Sequence, residues 1–122
     1  MIKNEKTKCI RVDKGWGHEL IFANNSLYCG KLLVFRAGKR SSMHYHLLKD
    51  ETWYVASGKV RMIWIDPVSG KKYWEILEAG DVITNKRGHP HQIEAVEEST
   101  IFEVSTEHFD SDSYRVEAGD IL

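Results

Sequence analysis

The sequence predicts an all-β fold, a single sandwich or barrel of short strands. Seven runs rich in β-branched and aromatic residues follow one another, at 32–35, 51–55, 59–65, 73–77, 81–84, 91–96 and 100–104. Turn chemistry separates most of them. No window of helical length keeps apolar residues at three-to-four spacing, so the strands must bury their faces against one another.

The first run, 32–35, is Leu-Leu-Val-Phe. The run 51–55 opens on Glu51 and passes through Trp53 to Val55; Ser57-Gly58 then turns the chain into 59–65. Asp66-Pro67-Val68-Ser69-Gly70 reads as a hairpin loop leading back along 73–77. Ala79-Gly80-Asp81 turns into 81–84, and Gly88 permits the bend before His91 opens 91–96. After 100–104 the chain becomes more polar, and from Ser105 on it is expected to form an arm over the barrel surface. Together with an N-terminal arm this makes one domain, residues 1–122, with its core at about 20–105.

Bulk composition excludes several function classes. In 122 residues, 42% are hydrophobic and 29% charged, with a net charge of −1 and both signs interspersed. There is no nucleic-acid footprint and no basic face for a membrane surface. No apolar run approaches the ~20 residues of a membrane span. The start of the chain is charged and lacks the apolar stretch of a signal peptide. Cys9 and Cys29 match no zinc spacing and read as reduced thiols, so a cytoplasmic protein is expected.

Two histidine clusters carry the chemistry. His44 and His46 stand two apart, so an extended backbone sends both imidazoles to one side. Glu51 follows at the head of a β run. His89 and His91 flank Pro90 after Gly88. Imidazoles and one carboxylate converging on a point suit a borderline divalent metal, with zinc, manganese, iron, nickel and cobalt all open in the absence of a thiolate. His89 rivals His91, but it precedes the strand and reads as mouth-lining; it is the candidate base. His18 and His108 lie outside any cluster and read as ordinary histidines. Trp53 should share the side of Glu51 and could border a metal cavity, where its indole would pack against a flat-faced ligand. Trp16, Trp64 and Trp74 read as packing residues. The basic pairs Lys39-Arg40 and Lys86-Arg87 precede the two ligand segments and are candidate contacts for an anionic substrate. Arg36, Arg61 and Glu103 lie within β runs, either facing solvent or paired inside.

The spacing of these residues resembles the cupin superfamily. Gly38, His44, His46, Glu51 and Gly58 fill every fixed position of its first motif: glycine, five residues, His-X-His, four residues, Glu, six residues, Gly. Gly80, Gly88 and His91 match the second motif, with Lys86 and Ala95 in place of its proline and asparagine. The resemblance implies a double-stranded β-helix, the jelly-roll barrel, with a divalent metal held by His44, His46, Glu51 and His91. It also implies a homodimer paired through edge strands.

Further segments resemble the cupin domain of type II mannose-6-phosphate isomerases: Lys14-Gly-Trp-Gly-His-Glu19, Glu51-Thr-Trp53, and the closing strand and tail containing Asp112-Ser-Tyr-Arg115 and Asp120. Gly15 replaces that family's proline, and Ser42-Met-His-Tyr-His-Leu lacks its glutamine and arginine. The implied function is a metal-dependent enzyme, an isomerase, epimerase or lyase, acting on a small polar sugar-derived or carboxylate-bearing molecule. The alternatives are an iron-dependent dioxygenase and a non-catalytic metal-dependent module that binds or senses a ligand.

Overall fold

The computed structural model describes residues 3–121. Eleven strands form two antiparallel sheets: β1 (Ile10–Lys14), β2 (Gly17–Asn24), β3 (Cys29–Phe35), β4 (Met43–Tyr45), β5 (Glu51–Ser57), β6 (Lys59–Ile65), β7 (Lys72–Glu78), β8 (Val82–Asn85), β9 (His91–Ala95), β10 (Ser99–Ser105) and β11 (Tyr114–Glu117). The first sheet runs β1-β2-β3-β10-β5-β8 and the second β11-β4-β9-β6-β7. Sequence-distant strands lie side by side, as in β3–β10 and β4–β9, so the chain wraps into the predicted jelly roll. No helix among the described residues is long and apolar enough to cross a membrane.

All seven expected runs are strands. The hairpin is present too: β6 and β7 pair from Lys59↔Glu78 to Ile65↔Lys72, with the Asp66 carboxylate accepting the Val68 N–H at 2.8 Å. Four strands go beyond the sequence reading. β1 and β2 extend the first sheet outward from the core, and β4 and β11 are too short to show a period. The tail does not merely lie over the surface, because β11 pairs with β4 in the second sheet.

Alternation decides what is buried. In β6, Val60, Met62 and Trp64 point inward; in β10, Ile101 and Glu103 do. Trp16 stacks on Phe35 with ring centroids 4.0 Å apart, closing part of the core. Trp74 differs from expectation: it is exposed on the second sheet, under the Arg61 guanidinium at 4.7 Å.

The inner face of the first sheet changes character along its strands, because residues in register share a face. Leu33, Ile101 and Val55 make an apolar row. The next row is Lys31, Glu103, Trp53 and Ile83, and the one beyond it Cys29, Ser105, Glu51 and Asn85. One end of the barrel interior is therefore core and the other is polar. The outer face is unusual for an antiparallel sheet. Leu20, Leu32, Phe102, Tyr54 and Val82 form an uninterrupted row across five strands, where polar residues would be expected.

Candidate metal centre

Three imidazoles meet at the polar end. His44 on β4 stands directly across from His91 on β9, and His46 follows just beyond β4. One potential ligand atom from each lies within 4.8 Å of the others. Each ring is held by its Nδ1. His46 donates to the Asp112 carbonyl at 2.8 Å and His91 to the His89 carbonyl at 2.9 Å. His44 Nδ1 lies 3.0 Å from both the carbonyl and the hydroxyl of Ser42. A carbonyl can only accept, so each Nδ1 carries the proton and each Nε2 presents a lone pair. Burial, and then the neighbouring rings His91 and His46, lower the His44 pKa to about 3. Burial and then the Lys49 charge lower His46 to about 4. At neutral pH both rings are ready to bind a cation.

The strongest local test of fit lies between His91 and Glu51. His91 Nε2 is buried without a hydrogen-bond partner and lies 2.9 Å from Glu51 Oε1. Two acceptors at that distance need a cation beside them. A proton would satisfy that pair alone and leave the Nε2 atoms of His44 and His46 bare; a metal satisfies the whole set. The residues therefore fit a divalent transition metal.

Glu51 stands beside the three-histidine cluster and is shared with other groups. Asn85 Nδ2 donates to Oε1 at 3.4 Å. Lys49 Nζ lies 3.1 Å from Oε2, near enough for an ion pair, although Oε2 lacks a well-directed hydrogen bond. Burial would raise the Glu51 pKa, but His91, Lys49 and His46 outweigh it and hold the carboxyl well below its usual range.

His44, His46, Glu51 and Trp53 line a cavity of about 670 Å³. Trp16, Leu33, Phe35 and Ile93 make its apolar wall, and Lys31, Lys49, Glu19, Glu103 and His108 its polar wall. Trp53 donates its indole N–H to Glu103 Oε1 at 3.1 Å. Glu103, one of three charges with two possible settings, thus faces inward, and burial followed by the Glu51 charge raises its pKa.

Several candidates from the sequence lie elsewhere. The His89 ring contacts the Tyr73 hydroxyl at 2.9 Å and is not part of the cavity wall; its carbonyl orients His91 instead. Lys39, Arg40, Lys86 and Arg87 are also outside the wall. Arg87 pairs with Asp50 at 3.1 Å in solvent, and Arg40 uses its backbone to hold Asp120. Arg40 forms an isolated bridge with Glu94 and Arg87 lies in a turn, and both are exposed. The residues that sequence reading missed are Lys31, Lys49, His108 and Asp112. Lys31 left a signal, a lysine in phase with the buried Leu33 and Phe35. His108, read as ordinary, lines the cavity because β10 ends beside it.

A family model described as a cupin domain matches residues 31–107. The chain is a cupin. No curated protein matches it. Among solved structures, this cupin is similar to the capsular polysaccharide assembling protein CapF from Staphylococcus aureus, at TM-score 0.81 and 18% identity over 93% of this chain and 33% of that one. It is also similar to oxalate decarboxylases. The Bacillus subtilis enzyme, in a form with one tryptophan replaced by tyrosine, gives TM-score 0.81 and 17% identity over 95% and 33% of the two chains. The Lactobacillus farciminis enzyme, in a formate complex, gives 0.79 and 17% over 95% and 37%. The B. subtilis enzyme carries Mn(II) centres. At these identities the likeness is one of fold, and this cupin spans about a third of the length of each.

Proposed function

We propose that this cupin is a metal-dependent enzyme that shifts a proton on a small, polar, sugar-derived or carboxylate-bearing substrate, in the manner of an isomerase, epimerase or lyase. The observation that carries the reading is the set of three Nε2 lone pairs, fixed by Nδ1 bonds to carbonyls, with His44 and His46 on the wall of a 670 Å³ cavity and His91 buried beside them. His44, His46 and His91, with Glu51 beside them, would hold one divalent ion. When bound, such an ion supplies Lewis-acid polarisation of a carbonyl or hydroxyl oxygen.

The chain's own groups provide the rest. Lys49 and Asn85 fix the Glu51 carboxylate. Glu103, with its raised pKa and its place on the wall, is better sited than His89 to take and return a proton at Oε2. The apolar wall and Trp53 exclude water from one side of the ligand. The resemblance of both chain ends to type II mannose-6-phosphate isomerases supports a sugar-derived substrate.

The assembly belonging to this reading is a homodimer, joined through the outer face of the first sheet instead of an edge strand. Five strands at about 4.8 Å spacing, with two or three outward residues each, give ~500 Å² per copy, and two copies reach the ~1,000 Å² that a biological interface should clear.

The reaction class is testable in D₂O. Metal-loaded protein is incubated with ketoses, sugar phosphates and hydroxy acids, and deuterium at the carbon next to the carbonyl is followed by NMR. Wild-type incorporation that vanishes in His44→Ala/His91→Ala is expected. Oxygen consumption in place of exchange, or tight binding without exchange, would contradict the proposal.

A further inference from the structure

Two lysines are buried in the cavity wall, and their surroundings differ. Lys49, 3% exposed, has three neighbours at 3.1 Å: Glu51 Oε2, Glu103 Oε2 and His108 Nδ1. Two of its three N–H donors are spent on Glu103 and His108, and its charge is paired with Glu51 as well as Glu103. Lys31 is equally buried at 3% exposure, yet its ammonium makes no hydrogen bond among the described residues. Among the described residues, its only carboxylate within 4.0 Å is Glu19, at 3.6 Å. The ammonium is not fully enclosed: the small exposure Lys31 keeps opens onto the cavity it lines, and one loose pair leaves its donors free there.

The placement of Lys31 gives those free donors a direction. It shares the inward face of β3 with Leu33 and Phe35 and lines the cavity with them. Directly across on β10 is Glu103, which leads through Lys49 to Glu51 and the histidines. The cavity thus has a lone-pair end, suited to a metal, and an ammonium end, with the Glu103–Lys49–Glu51 chain along the wall between them.

We propose that Lys31 anchors an anionic group, a carboxylate or a phosphate, on the same ligand whose oxygen atoms reach the metal end. The proposal rests on the metal-dependent reading above and narrows its substrate to anions such as polyhydroxy acids or phosphorylated sugars. The anion anchor expected from the loop pairs Lys39-Arg40 and Lys86-Arg87 is instead a strand lysine inside the barrel. Glu19 holds the ammonium when no ligand is present and competes with one that arrives.

Calorimetric titration with malonate and with inorganic phosphate tests this, on metal-free and Co(II)-loaded protein in parallel. In Lys31→Met, binding of the preferred anion should weaken by about tenfold or more, the scale of a lost charge-assisted hydrogen bond. Lys31→Arg should keep most of the affinity, and Glu19→Gln should raise it. The visible spectrum and stoichiometry of bound Co(II) should be unchanged in all three variants. The two anions separate a carboxylate site from a phosphate site. Wild-type protein that binds neither anion, or a folded Lys31→Met protein that binds them as well as wild type, would overturn the proposal. Failure of wild-type protein to take up Co(II) would instead defeat the metal reading, and the metal-free titrations would still decide the role of Lys31.

Discussion

His91 and Glu51 face each other across 2.9 Å, with the other donor nitrogens of the cluster close by, and this pair concentrates the chemistry of the site. The three histidines that gather here were legible in the sequence as a cluster, because metal binding needs particular side chains at short spacing. The residues around them were not, because Lys49, Glu103 and His108 meet only after three separate segments fold. The lowered histidine pKa values give a signed prediction for metal-free protein. An unfolded histidine titrates near ~6.5, whereas folded His44 and His46 titrate at about 3 and about 4. As pH falls below 6.5 the unfolded chain takes up protons that the native state refuses, so stability drops until the folded values are reached. Urea midpoints should therefore fall between about pH 6.5 and 4, and His44→Ala/His46→Ala should flatten that slope. An equally steep slope in the double variant would count against the assignment.

Elements place these residues through a few fixed joints. The Asp112 carboxylate, in a short 3₁₀ turn, accepts the N–H groups of Leu47, Leu48 and Lys49 at 2.9–3.1 Å, while its carbonyl orients His46. Asp112→Ala would strand three backbone donors and should cost about 3 kcal/mol, measured by urea unfolding. Metal affinity should fall with it, since the loop leading to Glu51 is released. Gly15 and Gly119 serve a different joint. A Cβ on Gly15 would run into the Asp120 backbone, and one on Gly119 into that of Ser41, so both glycines let the C-terminal arm lie close. Gly119→Ala should raise amide exchange in 114–121 while leaving β6 and β9 protected; uniform protection would contradict this. Periodicity revealed β3, β5–β10 and the hairpin. It could not reveal β4 or β11, whose three and four residues are set by their partners, nor could it show that the tail completes the second sheet.

At the scale of the molecule, the barrel buries Leu33, Ile101 and Val55 on one side of the first sheet; in the row on the other side Leu20 and Leu32 are half-buried and Phe102, Tyr54 and Val82 exposed. The fold class was legible because strands, turns and the motif spacing agreed. The apolar outer face was not, because it emerges only when the cross-strand registers align. For the proposed dimer, light scattering should give twice the chain mass, and Phe102→Lys/Tyr54→Lys should give a folded monomer. A wild-type monomer at micromolar concentration would exclude that interface. The account as a whole depends on the histidines holding a metal. Mass-spectrometric metal content of untagged protein, beside His44→Ala/His91→Ala, tests that most directly. The prediction is stoichiometric manganese, iron, zinc, nickel or cobalt in the wild type and none in the variant. Wild-type protein that carries no metal and takes none up on reconstitution would contradict the account.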